Sequence, residues 1–196
     1  MDLFDNPVGY LTSLLAFLRE QKLSLAKILI THAHFEHIFA LKELVERSGA
    51  EAYIHTLDKP SLTDNRANFT EFVGVLGYEP YVGKINEVNH GDEILLDEVK
   101  ITVFHAPGHS PGSVYYMAGN AIFSGDVLSH NAIGHHNIPY ANREDMLETL
   151  KRTVAIEGEY NVYPAHWTVT SLDHEKKNNL YRLPCVYLSH SINLDS

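Results

Sequence analysis

The stretch Lys27-Ile-Leu-Ile-Thr-His-Ala-His-Phe-Glu-His-Ile38 runs from an apolar strand-like segment into three histidines and a carboxylate within six residues. A strand that stops on such a turn aims several side chains at one point, because the turn breaks the two-fold alternation of the strand. Three later motifs add ligands of the same kind. His109 lies in Ala106-Pro-Gly-His-Ser-Pro-Gly112, Asp126 in Phe123-Ser-Gly-Asp-Val127, and His166 in Tyr163-Pro-Ala-His-Trp167. Imidazole nitrogen and carboxylate oxygen are the borderline donors that zinc, iron and manganese accept. Five histidines and two carboxylates at these spacings read as a metal site, and their number suits two metals.

The string Ile30-Thr-His-Ala-His-Phe-Glu-His-Ile38 resembles the His-x-His-x-Asp-His signature of the metallo-β-lactamase superfamily. The motifs around His109, Asp126 and His166 resemble its later ligand motifs, in the same order, and the likeness runs over nearly the whole chain. Within the superfamily it points to the small glyoxalase II-like hydrolases. The resemblance implies that His32, His34 and His109 hold a first metal, that Glu36, His37 and His166 hold a second, and that Asp126 bridges both. It also implies an α/β fold, the αβ/βα four-layer sandwich, over a single domain spanning residues 1–196.

Composition bounds the function. A chain of 196 residues is long enough to bury a core. Its formal charge of −10 argues against nucleic acid, whose binding needs phosphates neutralised by Lys and Arg. The single Cys185 cannot form an internal disulfide, so a cytoplasmic location is expected. Tyr10-Leu-Thr-Ser-Leu-Leu-Ala-Phe-Leu18 follows acidic Asp2 and Asp5 rather than basic residues, which disfavours a secretion signal and leaves no membrane segment. Leu11, Leu14, Leu15 and Leu18 are expected on one helical face.

The pattern predicts helices at about 8–21, 36–48, 68–77, 144–156 and 172–179, with strands at 26–31 and 51–55. From 86 to 124 it predicts mostly strands, with a hairpin at Ala118-Gly-Asn120, and then an extended segment at 160–163. Against the family, the N-terminus departs most. Met1-Asp-Leu-Phe-Asp-Asn-Pro7 stands where a β-hairpin and a further strand ending in Asp-Pro-Gly are usual, with Asp2 in place of that Asp. The first sheet is therefore expected to be truncated, lacking two or three outer strands. An uncovered edge and apolar face invite a second subunit, so a homo-oligomer is expected.

Three departures touch the site. Glu36 stands where the family has Asp, and its extra methylene moves the carboxylate outward by roughly 1 Å, a large displacement for a metal ligand. Glu36 either ligates from a shifted backbone, ligates weakly, or serves only as a helix N-terminal carboxylate. Phe39-Ala40 replaces a small Gly-Gly pair, and Phe39 is expected in the core. Gly134-His-His-Asn137 stands where relatives carry Gly-Arg-x-Asp, which makes His135 and His136 candidate substrate contacts, with solvated loop residues the plainer reading. His105 is read as either a partner of His109 or a packed strand residue. Trp167 is expected to fill space beside His166, and Tyr115, Tyr116 and Tyr163 to pack on strands. His55, His90, His130, His174 and His190 carry no spacing argument. Lys176, Lys177 and Arg182 read as a solvated helix face.

The expected function is hydrolysis of a small ester or thioester by metal-activated water, with Asp126 orienting that water and two divalent ions, zinc first and iron or manganese next, as cofactors. The alternatives are an oxidoreductase resembling persulfide dioxygenases, with one iron on His34, His109 and Asp126, a β-lactam hydrolase, and a non-catalytic metal-binding protein.

Overall fold

The structure is a computed structural model that describes residues 7–74, 78–179 and 181. Asp2, Asp5, Gly77, Arg182, Cys185 and His190 lie outside the described residues. The chain divides into two compact units, Met1–Val88 and Asn89–Ser196.

The first unit opens with α1 (Pro7–Glu20). Leu11 is buried and Leu15 and Leu18 half-buried, but Leu14 and Phe17 are exposed. Leu14 therefore falls outside the inward stripe, because positions 11, 15 and 18 already align on one side of a 3.6-residue helix. Strands β1 (Lys27–Leu29), β2 (Glu51–His55) and β3 (Asn86–Val88) form a three-stranded, all-parallel sheet in that order. The helix expected at 36–48 is two pieces, α2 (Phe35–Ile38) and α3 (Leu41–Ser48). The break falls at Phe39-Ala40, where Ala40 leaves helical geometry at φ −91°, ψ 0°. Gly49 ends α3 at φ 71°, and its N–H donates to the Val45 carbonyl (2.8 Å). That left-handed C-terminal cap suits glycine. Ile30, Ala33, Ile38, Leu41, Ala52, Ile54, Leu62 and Tyr81 make the core, with Tyr78 against it. Burial pushes the Tyr78 phenol up to about 12. Phe39 is half-buried, its ring 6.4 Å from that of Tyr78, rather than deep in the core.

Of the helix expected over 68–77, the described residues 68–74 form only the short α4 (Thr70–Val73), and 75–77 lie outside the described residues. Phe69 and Gly74 bracket it in the left-handed region at φ 70° and 60°, which no helix continues through.

The second unit is a six-stranded sheet in the order β11-β10-β7-β6-β5-β4. The strands are β4 (Glu93–Leu96), β5 (Val99–His105), β6 (Val114–Ala118), β7 (Ala121–Gly125), β10 (Asn161–Pro164) and β11 (Thr170–Ser171). All its pairs are antiparallel except β10 with β7. The β6–β7 hairpin turns where expected, on Gly119 at φ 55°. A small hairpin of β8 (Leu128–Ser129) and β9 (Ala132–Ile133) follows β7. Helices α5 (Arg143–Val154) and α6 (Leu172–Asn178) complete the unit. Tyr115, Ile122, Leu128, Met146, Leu150, Val162 and Leu172 form its core. Tyr116 is buried too, whereas Tyr163 is part-exposed and stacks on Phe123 (5.4 Å between ring centres). Among the described residues no helix is long and apolar enough to cross a membrane.

Candidate metal centre

In the first unit the ligand turn begins at the carboxyl end of a parallel strand, the end where α/β sheets place their sites. The turn is clamped from two sides. The buried Ala33 N–H donates to Asp58 Oδ2 (3.0 Å), and the Phe35 N–H donates to the Asn68 carbonyl (2.9 Å). Asp58 occupies the N-cap position of the short 3-10 turn Lys59–Leu62, yet its side chain does not cap that turn. Its carboxylate reaches the ligand turn instead. Asn68 is fully buried and braced in turn by Thr70 and by the Ser61 carbonyl.

The clamp brings His32, His34 and His37 together. The His32 ring lies 4.6 Å from that of His34, at 85°, and 4.1 Å from that of His37. Glu36 Oε1 is 4.0 Å from His37 Nε2, so the longer carboxylate stays beside the cluster. Phe69 packs edge-on against His34 at 4.7 Å. His32 and His34 are buried, and the Nε2 atoms of His32, His34 and His37 are enclosed without a hydrogen bond. Enclosed imidazole nitrogens of this kind suit a metal bond.

In the second unit Asp126 follows β7 and stands between two imidazoles. Its Oδ2 is 3.6 Å from His109 Nε2 and its Oδ1 is 3.6 Å from His166 Nε2. One oxygen to each ring is the posture of a bridging carboxylate. His109 Nδ1 donates to the His135 carbonyl (2.8 Å), which leaves Nε2 as the lone-pair nitrogen. His135 thus serves through its backbone, while its side chain is exposed. His136 is half-buried and contacts the Gly134 carbonyl through Nδ1 (3.4 Å). Gly134 is obligatory: a Cβ there would lie 2.0 Å from the Asp126 carbonyl oxygen and 3.0 Å from His109 Nδ1. Gly108 is equally confined, at φ 133° with a Cβ position 2.4 Å from Met146 Cα. His105 braces the same loop, its Nε2 bonding the Pro111 carbonyl (2.9 Å).

Trp167 contradicts its expected packing role. It is 82% exposed and sits at φ 74°, an outlier for a bulky residue. Lys176 bonds the Ile156 carbonyl and Lys177 pairs with Asp173 (2.7 Å). Sequence reasoning missed Asp58 and Asn68, since neither belongs to a ligand motif. It also missed that His130, His174 and Glu175 cluster.

A sequence model described as the Metallo-beta-lactamase superfamily matches residues 3–166. The chain belongs to that superfamily of metal-dependent hydrolases, which binds a dinuclear metal, and its fold is the α/β metallo-β-lactamase fold. It is 32% identical over 168 residues to "Probable metallo-hydrolase YqgX" of Bacillus subtilis, covering 83% of this chain and 78% of the relative. It is 23% identical over 177 residues to "Hydroxyacylglutathione hydrolase GloC" of Haemophilus influenzae, covering 89% and 84%. Among solved structures, TTHA1623 "in a di-iron-bound form" superposes with a TM-score of 0.75 at 32% identity, covering 86% of this chain and 83% of that one.

Proposed function

We propose that the chain hydrolyses a small thioester or ester, in the manner of glyoxalase II, with two divalent cations. His32, His34 and His109 would hold the first, Glu36, His37 and His166 the second, and Asp126 would bridge them. The observation that carries this reading is the Asp126 carboxylate, with one oxygen 3.6 Å from each of two imidazole Nε2 atoms. The donor set, five imidazoles and two carboxylates, fits such cations. Cations held there lower the pKa of water towards about 7 and polarise a carbonyl.

The chain's own residues divide the remaining work. Asp126 orients the attacking water and accepts a hydrogen bond from it. The His135 carbonyl fixes the tautomer and ring plane of His109. His32, His34 and His109 are buried, whereas Glu36, His37 and Asp126 are half-buried and His166 is exposed. GloC, named a hydroxyacylglutathione hydrolase, supports the substrate class. The di-iron neighbour makes iron the competitor to zinc. A cytoplasmic, oligomeric protein acting on a small molecule, with no nucleic acid or membrane partner, completes the reading.

The test is turnover of a glutathione thioester and an activated ester by zinc- and iron-loaded protein, with metal content measured by mass spectrometry. His109→Ala should abolish turnover with the fold retained by circular dichroism. Unchanged turnover in that variant would overturn the ligand assignment. One iron per chain with oxygen uptake on a persulfide would replace hydrolysis by oxidation.

A further inference from the structure

We propose that His130, His174 and Glu175 form a third divalent-cation site, for a borderline metal such as zinc, cobalt or nickel. The three share no residue with the seven ligands above and lie wholly within the second unit. His130 sits at the tip of the β8–β9 hairpin, and His174 and Glu175 lie in the first turn of α6. One donor atom from each comes within 4.8 Å of the others, and His174 Nε2 is 3.9 Å from Glu175 Oε1. Two imidazoles and a carboxylate make a donor set that these metals accept.

Glu175 is the first reason to expect a cation there. Its side chain is fully buried, and three donors fix the carboxylate: the Asn131 N–H (2.9 Å), Asn179 Nδ2 (2.7 Å) and Thr170 Oγ1 (2.7 Å). All three are neutral. Among the described residues its ion-pair partner is His174 alone. Buried charge is normally paired or metal-bound, and a divalent cation beside Oε1 supplies the missing compensation. The three donors then act as the outer shell that orients a ligating carboxylate.

The second reason is the way the two imidazoles already converge. The rings are 5.1 Å apart, and the Asn131 amide lies between them. Asn131 Nδ2 donates to His130 Nε2 (3.0 Å), and Oδ1 accepts from His174 Nε2 (3.0 Å). His130 Nδ1 meets Thr168 Oγ1 (3.2 Å), so its Nε2 carries the lone pair a metal needs. For His174 a shift of the proton from Nε2 to Nδ1 provides the second lone pair, with no net proton released; Asn178 Nδ2, which donates to Nδ1 (3.3 Å), then gives up that contact and keeps its bond to the His174 carbonyl (3.0 Å). A cation then takes the place of the bridging amide. Tetrahedral ligands at about 2.0–2.1 Å from zinc sit roughly 3.4 Å apart, so the donors must close by on the order of 1 Å. The exposed His130, on a two-residue turn, can supply that movement.

The experiment is equilibrium dialysis against zinc buffered in the micromolar range, with bound metal counted per chain. Wild type is compared with His130→Gln and with the double variant His130→Gln/His174→Gln. Wild type should bind one equivalent more than either variant, or hold that equivalent at least tenfold more tightly. A zinc-dependent rise in melting temperature should shrink with it. The difference is independent of how many metals the other seven residues take, so its failure and that of the hydrolase reading are separable. His130→Gln alters an exposed side chain, which keeps the test readable if the double variant does not fold. Equal counts and equal affinities in wild type and His130→Gln would overturn the proposal, leaving Asn131 as a metal-free brace between two imidazoles.

Discussion

At the scale of single residues, the site depends on one position where any side chain is too large and on one where the side chain is longer than the family's. Gly134→Ala places a methyl group against the Asp126 carbonyl, where backbone must move rather than a flexible side chain. We expect metal affinity to fall at least tenfold while helical content is retained, as read by zinc titration and circular dichroism. Glu36→Asp should do the opposite at the second metal. Glu36 remains 4.0 Å from His37, so it is near its post but longer than the family's Asp. Competition with a chelator should show the second equivalent binding 10–100-fold more tightly in Glu36→Asp. Two equally tight sites in the wild type would mean that the backbone has adjusted to the longer side chain. What sequence revealed at this scale follows one rule. The seven ligand-type residues were legible because each lies in a short motif with its own spacing. Asp58 was not, because the N–H it holds is 25 residues away, and its cap position offered a plausible local role that it does not fill. His130 and His174 were illegible for the same reason, since they meet across 44 residues and Asn131, which bonds both, is 43 residues from His174.

At the scale of elements, strands and capped helices were readable and the breaks between helices were not. The strand Glu51–His55 and the Gly119 hairpin follow from alternation and a turn glycine. The shortened α4 does not, because Phe69 takes a left-handed conformation that no local preference announces. Its ring packs on His34, so tertiary contact has overridden propensity there. Helix α5 is better specified. Asn142 Oδ1 accepts from the Glu144 and Asp145 N–H groups (2.8 and 3.2 Å), and its own N–H donates to the Gly108 carbonyl beside His109 (2.9 Å). Asn142→Ala should cost about 1 kcal/mol. In a domain of this size that lowers the melting temperature by roughly 2–4 °C. Differential scanning calorimetry would show it. The backbone bond to Gly108 survives the substitution, so turnover should change little.

At the scale of the whole molecule, the fold class was legible because four motifs fall in family order, while assembly must be measured. The first sheet has three strands among the described residues, and Leu14 and Phe17 lie exposed on α1. We expect a two-fold dimer that covers this apolar surface. Multi-angle light scattering at micromolar concentration should return twice the chain mass of 22.1 kDa. A soluble monomer would remove the dimer from the proposed function without touching the metal ligands.

Trp167 gives the molecule an optical property. It is the only tryptophan in the chain, it is exposed, and it directly follows His166 in sequence. Indole emission from this protein therefore comes from a single fluorophore one residue from a proposed ligand. Loading with cobalt or iron should quench that emission, whereas zinc should leave it nearly unchanged. The unmodified chain can thus report which ion has arrived, and how fast, without a dye.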